Sequence, residues 1–158
     1  MHVITPFLWF DDKAEEAAEL YVSLFPGSTI THVARWGEGG PTAAGAVMSV
    51  SVVLDGLALQ LFNGGPGHPF TDAISFFVQA DTQPEIDRLW DALTDGGAEV
   101  QCGWLTDRFG LSWQVVPAVL LELLSDPDAA RAGRAMQAML GMRKLDIAAL
   151  RAAADGMG

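Results

Sequence analysis

Apolar and polar residues along this chain alternate in two rhythms, and the order in which the rhythms appear is repeated once. Residues 3–10 are β-rich and stop at Asp11-Asp12. From Lys13 to Leu24 the apolar positions Ala14, Ala17, Ala18, Tyr21 and Leu24 recur every three or four residues. That spacing predicts an amphipathic helix, which Pro26-Gly27 ends. Residues 29–36 read as a strand and 37–41, rich in glycine, as a loop; residues 46–54 form a second strand that turns at Asp55-Gly56 into a third over 57–62. The series is β-α-β-β-β. After an aperiodic linker, a strand over 74–79 leads to a helix over 84–94, with Asp81 or Thr82 as its cap and Pro84 in its first turn. Two short strands fall within 98–107 and a last one over 111–116. Beyond Pro117 the pattern is helical only. It comprises residues 118–124, a helix capped by Asp126 and opened by Pro127 with a stripe of Ala132, Met136, Met139 and Leu140, and a final helix over 147–154 behind Asp146.

Residues 5–27 and 74–96 read as one unit written twice. A constant offset (81 − 12 = 69) pairs Phe7 with Phe76, Asp12 with Asp81, Tyr21 with Trp90, Leu24 with Leu93 and Gly27 with Gly96. The closing strands match at another offset (114 − 60 = 54), which pairs Gln60 with Gln114. The middle of the second copy is therefore shorter by 69 − 54 = 15 residues. Recognising the repeat settles the class before any local detail. The fold expected is α+β: two paired β-α-β-β-β modules forming a curved sheet with an inner cleft, plus a helical C-terminal extension. One domain spans residues 1–158, with modules at 1–63 and 73–117, a linker at 64–72 and the tail at 118–158.

Period-two alternation assigns side chains to the two faces of such a sheet. Leu57, Leu59 and Leu61 are expected under the helix, leaving Ala58, Gln60 and Phe62 to face the cleft. The repeat places Ser112 and Gln114 likewise. On the opening strands Pro6, Leu8 and Phe10 match Ser75, Phe77 and Gln79, and Ser49 and Ser51 interrupt an apolar strand and point inward too.

Composition narrows the partners. Half of the 158 residues are apolar and 18% are charged, which suits a packed globule and not a disordered chain. Twenty acidic against nine basic residues give a formal net charge of −11, a field that repels phosphate backbones and anionic lipid. Nucleic acid and membrane are excluded as partners. The N-terminal apolar stretch is too short and too soon acidic for a signal peptide, and the single cysteine, Cys102, cannot form an internal disulfide. A cytoplasmic protein is expected.

The motifs Thr5-Pro6-Phe7-Leu8-Trp9-Phe10, Ala73-Ile74-Ser75-Phe76-Phe77-Val78, residues 85–93, residues 102–114 and Met142-Arg143-Lys144-Leu145-Asp146 together carry a resemblance over nearly the whole chain. The chain resembles the vicinal oxygen chelate superfamily, which includes glyoxalase I, extradiol dioxygenases and bleomycin-resistance proteins. Within it, the chain is most similar to the PhnB-like branch often labelled demethylubiquinone methyltransferase-like. In metal-dependent members, the resemblance implies, His or Gln on the opening strand and Glu on the closing strand of each unit hold a divalent cation. Those positions here are Pro6, Gln60, Ser75 and Gln114. Proline offers no ligand, serine a poor one, and both glutamines are neutral, so no metal and no cofactor are expected.

The other candidates read more plainly. His2, His32 and His68 lack ligand spacing; Cys102 reads as small and buried; Asp107-Arg108 reads as an ion pair in a turn. Trp36 and Trp104 adjoin loops and could wall an aromatic ligand. The expected function is a metal-free small-molecule binding protein. Gln60 and Gln114 orient a polar ligand, Phe62 and Phe77 pack on its apolar part, and Ser49, Ser51, Ser75 and Ser112 add hydroxyls. The alternative is a metal-dependent lyase, isomerase or dioxygenase of the same superfamily drawing on Asp11, Asp12, Glu38 or Asp107. Methyl transfer is the third reading, and no glycine-rich strand-to-helix turn supports it. A homodimer is expected from the resemblance and from the stripe Met136, Met139, Met142.

Overall fold

The structure, a computed structural model, describes residues 1–157. The chain divides into two compact units, the first spanning Met1–Phe70 and the second beginning at Thr71.

The first unit runs β1 (Phe7–Phe10), α1 (Ala14–Leu24), β2 (Thr29–Arg35), β3 (Val47–Leu54) and β4 (Leu57–Asn63). Its four strands form one sheet in the order β1-β4-β3-β2, with β1 parallel to β4 and the remaining neighbours antiparallel. The second unit repeats this with β5 (Ser75–Ala80), α2 (Gln83–Thr94), β6 (Ala98–Glu99), β7 (Trp104–Thr106) and β8 (Ser112–Pro117), in the order β5-β8-β7-β6. The α+β class and the duplicated β-α-β-β-β order are as the sequence pattern predicts.

In each unit the helix covers one face of its sheet. Ala17, Ala18, Tyr21 and Leu24 of α1 are buried with Val50, Val52, Leu59 and Leu61; Ile86, Leu89, Trp90 and Leu93 of α2 are buried, as are Trp113 and Val115 of β8. The helices match at the expected offset of 69, down to Gly27 and Gly96. Both adopt left-handed backbone (φ 79° and 75°) where the chain turns out of the helix.

The opening strands depart from that offset. Phe7 pairs with Gln60 across the parallel ladder, and Phe77 pairs with Gln114, so these strands match at 77 − 7 = 70. One residue of slip exchanges the faces of a strand. Leu8 and Phe10, expected to face the cleft, are in the core, whereas Phe7 (60% exposed) and Trp9 occupy the open face. The residue equivalent to Ser75 is accordingly Thr5, not Pro6. Leu57, expected in the core, is 47% exposed at the start of β4, just past the hairpin turn.

The tail forms α3 (Ala118–Leu124), α4 (Ala129–Leu140) and α5 (Ile147–Ala154). Asp146 caps α5 as expected, but α4 is capped by Asp128, whose carboxylate accepts from the Ala130 amide (2.9 Å). Asp126 instead accepts from the Asp128 amide and pairs with Arg131. The apolar stripe of α4 is also rotated from the expected one. Ala135 is buried, and Ala138 and Met139 pack with Met142 against Leu120, Leu123, Leu145 and Leu150, while Met136 and Leu140 face outward. Two of the three methionines assigned to a subunit contact are thus spent inside the second unit. Gln83 holds the tail to α2: its Nε2 donates to the Leu145 carbonyl (3.1 Å) and its Oε1 accepts from the Ile147 amide (2.9 Å). Lys144 adds an ion pair to Asp87 (2.8 Å).

Candidate functional site

The face of each sheet turned away from its helix holds most of the site residues expected from the sequence. In the first unit, strand register lines up Phe7, Gln60, Ser51 and His32 in one row, and Trp9, Phe62, Ser49 and Ala34 in the next. Residues paired across a ladder share a face, so these rows are open-face neighbours. Ser51 Oγ donates to Gln60 Oε1 (2.8 Å), and the Gln60 Nε2 group meets no acceptor among the described residues. Phe62 is the hub of the aromatic side chains, its ring 5.1 Å from Trp9, 5.4 Å from Phe7 and 6.3 Å from Trp36.

The second unit repeats the device with its polarity reversed. Gln114 Nε2 donates to Ser75 Oγ (2.9 Å), which leaves Gln114 Oε1 without a donor among the described residues. Phe77, paired with Gln114 in register, is 50% exposed beside it. Ser49 and Ser112 are buried, so a ligand would meet the amides and rings before it met these two hydroxyls.

The stretch after β4 packs onto the first unit. Trp9 Nε1 donates to the Gly65 carbonyl (2.9 Å), and the amides of Gly64 and Gly65 donate to the carbonyls of Phe10 and Asp11. The His68 ring lies 4.3 Å from that of Trp9. Gly64 is obligatory here, since a Cβ at that position would fall 2.2 Å from the Trp9 ring.

Where β1 gives way to α1, a cavity of about 420 Å³ opens within the first unit, lined among others by Asp11, Asp12, Glu15, Trp36, Phe62 and Asn63. Asn63 shapes it: its Oδ1 accepts from the first helical amide, Ala14 (2.8 Å), and its Nδ2 donates to the Val47 carbonyl (3.1 Å). The indole Nε1–H of Trp36 is buried with no hydrogen-bond partner among the described residues. Sequence reasoning named Trp36, Asp11 and Asp12 but missed Phe7, Trp9, Glu15 and Asn63. For Phe7 and Trp9 the missing signal was parity, which depends on a ladder register that a sequence offset taken from the helix does not report.

The remaining candidates go elsewhere. Asp107 is 3% exposed and does not pair with Arg108. Its carboxylate accepts from the amides of Phe109 and Leu111 and from Trp113 Nε1 at 2.9–3.0 Å, and Arg108 pairs with Asp95 (3.1 Å). Cys102 lies in a left-handed turn (φ 60°), its amide bonded to the Met142 carbonyl. Glu38 is exposed on the β2–β3 loop.

The chain matches the family model described as 3-demethylubiquinone-9 3-methyltransferase over residues 2–116. It belongs to that family, the PhnB-like branch of the vicinal oxygen chelate superfamily. A PhnB protein from Bacillus cereus described as a putative 3-demethylubiquinone-9 3-methyltransferase is 36% identical, with 74% of this chain and 100% of that one covered at a TM-score of 0.68. Protein PA1353 from Pseudomonas aeruginosa is 26% identical over 74% of this chain and 98% of its own (TM-score 0.60). The fosfomycin resistance protein FosX from Listeria monocytogenes shares the fold at 13% identity, covering 77% and 97% of the two chains (TM-score 0.51). No curated protein matches.

The superfamily implies a divalent metal at the open-face positions, and the side chains there do not fit one. Thr5, Gln60, Ser75 and Gln114 supply no carboxylate, imidazole or thiolate, and both hydroxyl–amide pairs already bond to each other. Among the described residues no group of three or more His, Cys, Asp or Glu side chains could hold a metal ion.

Proposed function

We propose that this protein binds small organic molecules with no resident metal, the open face of each sheet offering one glutamine, Gln60 in the first unit and Gln114 in the second, that orients a ligand by hydrogen bonds. The observation that carries the reading is the duplicated amide–hydroxyl pair. Each hydroxyl restrains one end of a glutamine and leaves the other end without a partner among the described residues, a donor in the first unit and an acceptor in the second. Phe62 and Phe77 supply apolar contact, with Ser49, Ser51, Ser75 and Ser112 as secondary hydroxyls. A few polar groups set among aromatic walls are the usual make-up of small-molecule sites. In this reading the protein is cytoplasmic. A second copy of the chain covers exposed apolar side chains such as Met136 and Leu140; light scattering of the purified protein reads the stoichiometry.

Native mass spectrometry of protein isolated from cell extract is the test. A co-purifying metabolite should be retained by wild type and lost from Gln60→Leu and Gln114→Leu variants of unchanged melting temperature. Retention of the same mass by both variants removes the glutamines from the site.

One observation favours turnover as a second reading: Asp11 and Asp12 line the 420 Å³ cavity and could serve as acid or base there. Methyl transfer, which the family description suggests, lacks a glycine-rich strand-to-helix turn for a nucleotide-derived donor. S-adenosylmethionine is expected to leave the melting temperature unchanged.

A further inference from the structure

Of the two open faces, the second sets its free amide between aromatic side chains on both neighbouring strands. We infer that Gln114, Phe77 and Trp104 form a slot for a neutral, flat ring system that carries an N–H or O–H donor on its edge. The inference deepens the small-molecule reading above, on which it rests, and gives the second unit's ligand a class.

Register builds the slot. Gln114 on β8 pairs with Phe77 on β5 and with Trp104 on β7, so the three lie in one row across adjacent strands. The neighbouring row, Phe76, Trp113 and Leu105, belongs to the opposite face. Trp113 and Leu105 are buried there, and the Phe76 ring packs on Trp113 at 5.1 Å. Alternation therefore turns Phe77, Gln114 and Trp104 to the open side. Phe77 is 50% exposed and the other two are half-buried, so the row can be reached. In the first unit Gln60 has Ser51 where Gln114 has Trp104, and the Phe7, Trp9 and Phe62 rings pack on one another. Around Gln114 a strand holds the two aromatic side chains apart.

Spacing sets the thickness of the occupant. Neighbouring strands lie about 4.8 Å apart, which puts β5 and β7 about 10 Å apart with side chains standing off the sheet. Packed aromatic rings have centroids about 4.5–7 Å apart. One flat ring between Phe77 and Trp104 would thus touch both. Neither side chain has another aromatic ring packed on it among the described residues.

Polarity sets the edge. Gln114 Nε2 donates to Ser75 Oγ (2.9 Å), which fixes the amide and leaves Oε1 without a donor among the described residues. Unlike the Trp36 indole nitrogen, that oxygen is not sealed from solvent. An occupant that displaces water from it must return an N–H or O–H. The rows Ser75–Ser112–Thr106 and Phe77–Gln114–Trp104 carry no charged side chain. A charged ligand would lose water there without meeting a counter-charge, and the net charge of −11 further repels an anion. A sugar would bring several hydroxyls to a slot that holds one acceptor ready.

Indole and benzofuran test this as a pair, because they share a flat bicyclic shape and benzofuran replaces the N–H with an ether oxygen. Titrations would follow the indole N–H resonance of Trp104, assigned by its absence in Trp104→Phe. The expected result is that both probes shift this resonance and that indole binds at least about threefold more tightly. Gln114→Leu, with unchanged melting temperature, should bring the two affinities to near equality while both shifts persist. Phe77→Ala should weaken both probes by about fivefold or more. Equal binding of the two by wild type, no shift at Trp104, or undiminished binding in Phe77→Ala overturns the slot. None of those outcomes touches the broader reading, which stands or falls on metabolite retention by Gln60→Leu and Gln114→Leu.

Discussion

Asp107 shows how a residue that looks chemical in sequence can be structural in the fold. Its buried carboxylate satisfies three N–H donors, two from its own turn and one from the Trp113 indole. Asp107→Asn keeps the shape but turns an amide N–H toward one of those donors. An unmade buried hydrogen bond costs about 1–3 kcal/mol. We expect Asp107→Asn to lower unfolding stability by about 2 kcal/mol and Asp107→Ala by about 3 kcal/mol or more, measured by urea denaturation. A loss below about 0.5 kcal/mol in both would reassign the residue. The neighbouring Arg108 could not be placed from sequence, because its partner Asp95 is brought to it by the turn after α2.

At the scale of elements, the tail is fastened to α2 by a neutral clasp and a charged one. Gln83→Ala should cost about 1–2 kcal/mol, since it leaves the first amide of α5 and the Leu145 carbonyl unpaired. The Lys144–Asp87 pair gives that clasp a pH dependence. The hydrogen bond from Lys144, with a second from Gln83, holds the Asp87 carboxyl below the usual aspartate range. The same bond to Asp87 holds the Lys144 ammonium above the usual lysine range. A carboxyl lowered on folding stabilises the fold above its unfolded pKa, and the effect disappears as pH falls through the folded value. A raised lysine stabilises below its unfolded pKa and loses that as pH climbs through the folded value. The clasp is therefore constant through neutrality and opens at acid and strongly alkaline pH. Hydrogen exchange at residues 145–150 should accelerate in wild type as pH falls below the ordinary aspartate range. In Lys144→Met the part of that change owed to the pair should be absent; an identical acid profile would remove the pair from tail docking.

For the whole molecule, the absence of carboxylate, thiolate and imidazole from Thr5, Gln60, Ser75 and Gln114 sets the expectation for metal. Protein purified from metal-supplemented culture should contain well under stoichiometric transition metal, and a chelator should leave its melting temperature unchanged. Stoichiometric zinc, iron or manganese in elemental analysis would revive the metalloenzyme reading. The net charge of −11 belongs to this scale too, because it adds a long-range attraction for cationic ligands that falls as salt rises. Among the described residues no helix is long and apolar enough to cross a membrane.

Sequence alone determined the duplicated β-α-β-β-β order, the buried stripe of α1 and the equivalence of Gln60 with Gln114. Those follow from local periodicity and from a repeat that the chain writes out in full. It did not determine which residues of β1 face outward, because the turn between β1 and α1 absorbs one residue relative to the second unit and reverses the strand's parity. Nor could it assemble the acidic, aromatic-walled cavity. The stretch carrying Asp11 and Glu15 is separate in sequence from Trp36 and from Asn63, and only the parallel pairing of β1 with β4 and the packing of the β2–β3 loop bring the three stretches to one place. Periodicity reports which side of an element is apolar; the ladder register and the loops decide which polar side chains meet.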